Sequence, residues 1–116
     1  MPLRHENLVV WQRADDLFIE VHHVARQFPP EERFELSSQI RRAAYSVPAN
    51  IVEGFARRSL KERAHLLNIA EASLAEVGYC FHVARRLGYV SSDRYATLDK
   101  QTRQVAAPLL GLIRKL

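Results

Sequence analysis

Two Glu-x-x-His pairs are the residues whose types and spacing most resemble a catalytic centre: Glu20 with His23, and Glu62 with His65. In a bundle of four helices, two such pairs and one inward glutamate from each remaining helix bind two iron or manganese ions. The remaining carboxylates would be Glu53 and Glu76. This spacing raises the hypothesis of a metal-dependent oxidase.

The helical phase of these pairs argues against a metal centre. Each residue turns an α-helix by about 100°, so His23 lies about 200° from the apolar Val21, and His65 lies about 200° from the apolar Leu67. Both histidines are therefore expected on the solvent side of their helices. We predict no metal site and no cofactor.

No other group of residues in the sequence predicts catalysis. Cys80 shares a helical face with Val77 and Ala84, which is typical of a small buried side chain rather than of a nucleophile. The sequence has no glycine-rich phosphate loop, no nucleotide fingerprint and no zinc-binding spacing of cysteines and histidines. We therefore predict a protein that is not an enzyme and has no catalytic residues.

Polar residues recur at intervals of seven in the middle of the chain, beside an apolar stripe. The members of this polar seam are Gln39, Ser46 and Glu53 in one series and Asn50 in a second, with Ser73 and Glu76 as candidate partners on the next helix. One interpretation is a half-buried network that fixes the register of two helices; the other is a contact surface for a partner chain or a ligand. A half-paired buried network costs roughly 1 to 3 kcal/mol, so we expect Asn50→Ala or Glu53→Ala to destabilise the protein.

A basic cluster lies in the same region. Between positions 41 and 63, six basic residues stand against two acidic ones, an excess equal to the net charge of +4 of the whole chain. Arginines beside a helix N-terminus favour phosphate binding, because the unpaired N–H groups there add partial positive charge. The alternative is that Arg41 or Arg42 pairs with an acidic residue of the next helix and that the rest form a solvated face. The candidate nucleic-acid contacts are Arg57, Arg58, Lys61 and Arg63.

The composition bounds the class of protein. With 116 residues, of which 47% are hydrophobic and 26% charged, the chain has the size of one domain, 1–116. No apolar run approaches the roughly 18 residues of a membrane-spanning helix, and the first residues lack the pattern of a secretory signal. A single cysteine forms no internal disulfide. We expect a soluble protein of the reducing cytoplasm that does not contact a membrane.

The apolar spacing predicts the helices that carry these residues. A first helix is predicted from Val9 to Phe28. A second is predicted to begin at Pro30, which suits a first helical turn, and to run to Phe55 with a kink at Pro48.

A third helix is predicted to begin at a capping box, Ser59 to Glu62, and to end at Gly88. A fourth is predicted to follow Ser92 or Asp93, with a kink at Pro108. No run alternates apolar and polar residues for long enough to predict a strand. The expected fold is all-α, an up-down antiparallel four-helix bundle in a single domain.

The central run is unusual enough to suggest a family. Positions 39–54 read Gln-Ile-Arg-Arg-Ala-Ala-Tyr-Ser-Val-Pro-Ala-Asn-Ile-Val-Glu-Gly, and Arg57-Arg58-Ser59 and Lys61-Glu62 follow. This run resembles the signature of the bacterial four-helix bundle protein family, also known as the 23S rRNA intervening-sequence protein or ribosomal-protein-like family. The resemblance covers nearly the whole chain. Ala56, Arg63 and Ala72 depart from the family pattern.

The resemblance implies properties that the residues alone do not. It places Arg42 in the polar seam, and it implies a homo-oligomer, a pentamer in family examples, of largely uncharacterised function. Some members are encoded in insertions within ribosomal RNA genes. The related accessory protein of diversity-generating retroelements, Avd, binds nucleic acid and a reverse transcriptase. By analogy, RNA or DNA is the expected partner.

The leading hypothesis is a non-enzymatic homo-oligomeric bundle that binds structured nucleic acid through phosphate contacts of the segment from Arg57 to Arg63. The alternative is a protein-interaction scaffold that recruits another protein, with the arginines in salt bridges between subunits.

Overall fold

The computed structural model describes residues 4–116. It contains four α-helices: α1 (Val9–Ala25), α2 (Leu36–Ala56), α3 (Leu60–Arg86) and α4 (Ser92–Arg114). A single turn of 3-10 helix, Pro30–Glu32, lies between α1 and α2. No strand occurs within this described range, and the prediction of an all-α fold is confirmed.

The helices form an up-down antiparallel bundle. Each helix packs against the next in sequence, and α4 closes the bundle against α1, whereas the backbones of the diagonal pairs do not approach each other closely among residues 4–116. Short connections reverse the chain direction between successive helices. The molecule measures 43 × 25 × 25 Å, and its long dimension matches the roughly 40 Å expected for the length of α3 at the standard helical rise. The most extensive packing is between α2 and α3.

The connection between α1 and α2 differs from the prediction. α1 ends at Ala25 rather than at Phe28, and α2 begins at Leu36 rather than at Pro30. The consecutive prolines explain the first difference, because a residue before proline is biased away from the helical region. Glu32 explains the start of α2, since its carboxylate accepts the N–H of Leu36 at 3.3 Å.

The predicted ends of α3 are confirmed. Ser59 Oγ accepts the N–H of Glu62 at 3.3 Å, which caps the first turn. At the other end, Gly88 has φ +81°, and Gly88 and Tyr89 donate their N–H groups to the carbonyls of Arg85 at 3.0 Å and Ala84 at 2.8 Å. This pair of bonds is the helix-ending motif that favours glycine.

One core runs the length of the bundle. Among its fully buried large side chains are Leu17, Ile40, Ile51, Leu67, Phe81, Leu98 and Leu109. Pro48 and Pro108 lie inside α2 and α4, and both helices continue through them. Within the described chain, no helix combines the length and the apolar character that crossing a membrane requires.

Candidate functional site

The two Glu-x-x-His pairs do not converge. Glu20 of α1 forms an ion pair with Arg94 of α4. Glu62 lies in the exposed first turn of α3, and His23 and His65 are exposed, in agreement with their helical phase. Among residues 4–116, no three histidine, cysteine or acidic side chains are grouped so that they could hold a metal ion.

Cys80 is buried in the core, with 3% of its surface exposed. Burial raises the pKa of its thiol from 9.0 to about 11, and the charge of Glu76 adds to the shift. The thiol is therefore protonated at neutral pH, and only the thiolate is a strong nucleophile.

The polar seam divides into two contacts between α2 and α3. Gln39 donates a side-chain hydrogen bond to the carboxylate of Glu76. Further into the bundle, about two turns along α2 from Gln39, Ser73 Oγ donates to Ser46 Oγ at 2.8 Å. Asn50 Nδ2 donates to Ser46 Oγ at 2.9 Å and to the Ser46 carbonyl at 2.7 Å. Ser46 therefore holds this half-buried cluster together.

Two other members of the polar seam lie outside these contacts. Arg42 is exposed and lines a groove of about 590 Å³ between α2 and α3, together with Gln39 and Glu76. Neither Arg41 nor Arg42 forms an ion pair within the described residues. Glu53 is exposed and lines a separate groove between α1 and α2, beside Trp11. Glu53→Ala was expected to destabilise the protein by breaking a buried network. Because the carboxylate of Glu53 is exposed, that reason does not apply.

The candidate nucleic-acid contacts lie where α2 turns into α3. Arg57 follows the last residue of α2, Arg58 lies in the connection, and Lys61 lies in the first turn of α3. All three side chains are exposed, and none forms an ion pair with another described residue. We call these three residues the basic surface. Their charges are available to a partner.

Arg63 differs from its neighbours because protein groups already occupy its guanidinium. Nε donates to the carbonyl of Gly54 at 3.1 Å, and Nη2 donates to that of Arg57 at 3.4 Å. The guanidinium carbon lies 4.4 Å from the centre of the Phe55 ring. These contacts cap the C-terminal end of α2 with a side chain of α3, so Arg63 holds the turn that presents the basic surface.

The basic surface borders a concave region. A groove of about 560 Å³ is lined by Arg57, Lys61, Glu62, His65 and Leu66. The N-terminus of α3 opens beside it, and the N–H groups of a first helical turn attract anions. Glu62 is the one carboxylate in this lining, and its backbone N–H is bonded to Ser59.

A second group of arginines was not predicted from the sequence. Arg26, Arg33 and Arg41 line one cavity at the opposite end of α2. They come from three segments, and their spacing matches no motif. Arg41 alone belongs to the basic cluster that the sequence indicates.

Fold and site together define a class: a four-helix bundle with an exposed basic turn. The sequence profile of the 23S rRNA-intervening sequence protein family matches residues 6–111. The chain belongs to this family, and the resemblance seen in the sequence is confirmed. No protein of curated function matches the chain.

A solved structure supports the fold. It is a protein of unknown function from the S23 ribosomal protein family of Bacteroides thetaiotaomicron VPI-5482, superposed with a TM-score of 0.85. The two sequences are 23% identical, and the alignment covers 91% of this chain and 96% of the other. At this identity the likeness concerns the fold alone.

Proposed function

We propose that the protein is a non-enzymatic, cytoplasmic bundle that binds structured nucleic acid through the basic surface. The observation that carries the proposal is the exposure of Arg57, Arg58 and Lys61 with no carboxylate within ion-pair distance in the described chain. Exposed arginine and lysine side chains pair with phosphate oxygens whatever the base sequence, and such contacts position a protein on nucleic acid without reading its sequence. The family name, which refers to ribosomal RNA, points to the same partner.

The four basic residues predicted as contacts would have different roles. Arg57, Arg58 and Lys61 would contact phosphates directly. Arg63 would act by holding the turn, since its guanidinium donates to two carbonyls. The N-terminus of α3 would add its partial positive charge to the same surface.

The test is fluorescence anisotropy of a labelled RNA hairpin and of a duplex DNA, titrated with wild-type protein and with Arg57→Gln/Arg58→Gln. A matched control exists in the chain, because Arg85 and Arg86 are also adjacent, exposed arginines, at the other end of α3. Arg85→Gln/Arg86→Gln removes the same net charge. We expect affinity to fall at least tenfold in the first variant, by loss of about 1.4 kcal/mol or more, and to change little in the control.

Two results would contradict the proposal. Equal losses in both double variants would show that net charge, not this surface, attracts the nucleic acid. Absence of binding at low salt by folded protein would remove the nucleic-acid function altogether and favour the second candidate.

The second candidate is a homo-oligomeric scaffold that recruits another protein chain. It is favoured by exposed apolar side chains at the rim of the groove between α2 and α3: Phe34, Tyr79 and Leu87, which are 83%, 66% and 53% exposed. Apolar groups clustered in this way mark contact surfaces. We assign to this face the subunit contact of the homo-oligomer that the family resemblance implies.

Sedimentation velocity tests whether this face is a subunit contact, since a homo-oligomer is expected for both candidates. Tyr79→Glu is expected to dissociate an assembly built on this face. Tyr45→Glu is the matched control, because Tyr45 is 60% exposed but lines the groove between α1 and α2. Identical sedimentation of both variants and of wild-type protein would contradict the assignment of this face.

A further inference from the structure

Three arginines converge on a cavity at the end of the bundle opposite to the basic surface. The cavity has a volume of about 310 Å³ and lies between the end of α1 and the start of α2. Its arginines are Arg26, which follows α1, Arg33, which follows the 3-10 turn, and Arg41 of α2. We call this cavity the arginine pocket.

The rest of the lining suits an anion. No acidic residue lines the arginine pocket; its other members are Ala25, Phe28, Pro29, Pro30 and Ser37. Ser37 is 3% exposed and lies in the first turn of α2. The N–H of Leu36 in that turn is bonded to Glu32, and the N–H groups that follow it lack partners within the helix. A hydroxyl, first-turn N–H groups and guanidinium groups are the donors that bind phosphate in proteins.

The arginines of the pocket have no direct carboxylate partner in the described part of the chain, although Arg33 lies over the ring of Phe34 at 5.3 Å. None of the three arginines forms an ion pair with a residue between positions 4 and 116. Nε of Arg41 is buried and has no hydrogen-bond partner in this part of the chain. A buried donor of a charged group without a partner is costly, and an anion that accepted its proton would remove the cost.

The pKa of the neighbouring His22 is lowered by burial and by the charges of two arginines of the pocket. Burial lowers the pKa of His22, and the charges of Arg41, Arg26 and His23 lower it further. Two arginines of the pocket therefore raise the local positive potential at the imidazole. Any carboxylate near enough to neutralise them would act in the opposite direction.

We propose that the arginine pocket binds a phosphate group. The guanidinium groups of Arg26 and Arg41 bind its oxygens, beside Ser37 in the first turn of α2. The pocket is separate from the basic surface, because Arg41 and Arg57 lie 16 residues apart in the sequence, about 24 Å along a helix. The proposal does not depend on nucleic-acid binding at that surface.

Isothermal titration calorimetry with inorganic phosphate is the test. The proteins are wild type, Arg41→Gln, Arg26→Gln and, as matched control, Arg114→Gln, which replaces an exposed arginine at the end of α4 that belongs to neither proposed site. We expect each pocket variant to bind phosphate at least about tenfold more weakly and the control to bind like wild type. Arg26 is exposed, so its replacement tests the pocket even if Arg41→Gln alters the fold.

NMR of His22 supplies a second readout. Sulfate has the shape of phosphate and does not titrate near neutral pH, so a pKa of the imidazole can be followed in its presence. Bound sulfate would neutralise the two arginines and raise the pKa of His22 in wild-type protein, but not in Arg41→Gln. Loss of the His22 resonance in His22→Gln identifies the signal.

Three probes distinguish the sources of the phosphate group: inorganic phosphate, an oligonucleotide with a 5′-phosphate, and the same oligonucleotide with a 5′-hydroxyl. Binding of the first two alone would assign a terminal phosphate. Binding of all three would assign phosphodiesters as well, and binding of inorganic phosphate alone would assign a small ligand. In each case, the binding must be weaker in Arg41→Gln or Arg26→Gln than in the wild-type protein. Phosphate affinity equal in wild type and both pocket variants, or no binding of phosphate at millimolar concentration, would overturn the proposal.

Discussion

Replacing Ser46 by alanine tests the packing of α2 against α3. Ser46 Oγ accepts from Ser73 Oγ at 2.8 Å and from Asn50 Nδ2 at 2.9 Å. In Ser46→Ala, Asn50 keeps its bond to the Ser46 carbonyl at 2.7 Å, whereas the Ser73 hydroxyl loses its partner. Because this hydroxyl is only half-buried, we take the lower part of the usual penalty, about 1.5 to 2 kcal/mol.

Helix propensity offsets part of that penalty. Alanine is favoured over serine inside a helix by roughly 0.5 kcal/mol. The net loss of unfolding free energy in Ser46→Ala is therefore about 1 to 1.5 kcal/mol. At this chain length such a loss lowers Tm by roughly 4 to 6 °C.

The assay is urea unfolding of Ser46→Ala, Ser73→Ala and the double variant, followed by circular dichroism. The double variant is expected to be more stable than the sum of the single losses implies, with a coupling of about 0.5 to 1 kcal/mol. Ser38→Ala is the control for propensity, because Ser38 is half-buried in α2 and forms no side-chain hydrogen bond among the described residues. Zero coupling together with wild-type stability of Ser46→Ala would refute the assignment of Ser46 as the centre of this cluster.

Three further outcomes are expected. Arg63→Met should lower the unfolding free energy by about 1 to 2 kcal/mol in urea titrations, since it removes two bonds to carbonyls and the contact with Phe55; unchanged stability would contradict its capping role. Tyr89 donates to Glu32 at 2.7 Å, and this bond together with burial raises the pKa of the phenol from 10.0 to about 12. The free energy of unfolding should therefore fall as pH rises from 10 to 12, and it should fall less in Tyr89→Phe. Identical pH dependence of the unfolding free energy in the two proteins would argue against the bond. Cys80 should react with a thiol reagent at neutral pH only as fast as the protein unfolds, because burial raises the pKa of its thiol to about 11, and rapid reaction of folded protein would contradict its burial.

The repeating apolar positions predict most of the fold. The buried positions of α3 and α4 can be predicted from the helical period alone. Ser59 and Gly88 mark the ends of α3, because a serine caps a first helical turn and a glycine favours the end of a helix. The segment between α1 and α2 is less predictable, because Pro30 suits both an α-helix and a 3-10 turn. The choice depends on Glu32, whose carboxylate binds the N–H of Leu36 and the hydroxyl of Tyr89, a residue 57 positions away.

The polar seam shows where a seven-residue repeat misleads. Seven residues fall about 20° short of two helical turns, so two repeats shift a side chain by about 40° around the helix. Gln39 and Ser46 contact α3, whereas Glu53 is exposed and lines the groove between α1 and α2. The side chain of Asn50 bonds only within its own helix. The larger loss of unfolding free energy is therefore expected on replacing Ser46 or Ser73, whose hydroxyl groups join the two helices.

The roles of the basic residues differ in how well they can be predicted from the sequence. Arg57, Arg58 and Lys61 lie in a turn that the capping serine marks, so their exposure follows from local sequence. The engagement of Arg63 depends on the carbonyls of Gly54 and Arg57. The arginine pocket joins three segments across a connection that the helical period does not describe.

The salt dependence of nucleic-acid affinity tests the central claim most directly. The measurement is the dissociation constant of wild-type protein and of Arg57→Gln for one duplex DNA at a series of salt concentrations. Phosphate contacts predict that the logarithm of affinity falls linearly with the logarithm of salt concentration, by about 0.9 per phosphate. Removal of one contact in Arg57→Gln should reduce that slope by about one. An affinity that does not change with salt, or equal slopes for the two proteins, would contradict binding through the basic surface.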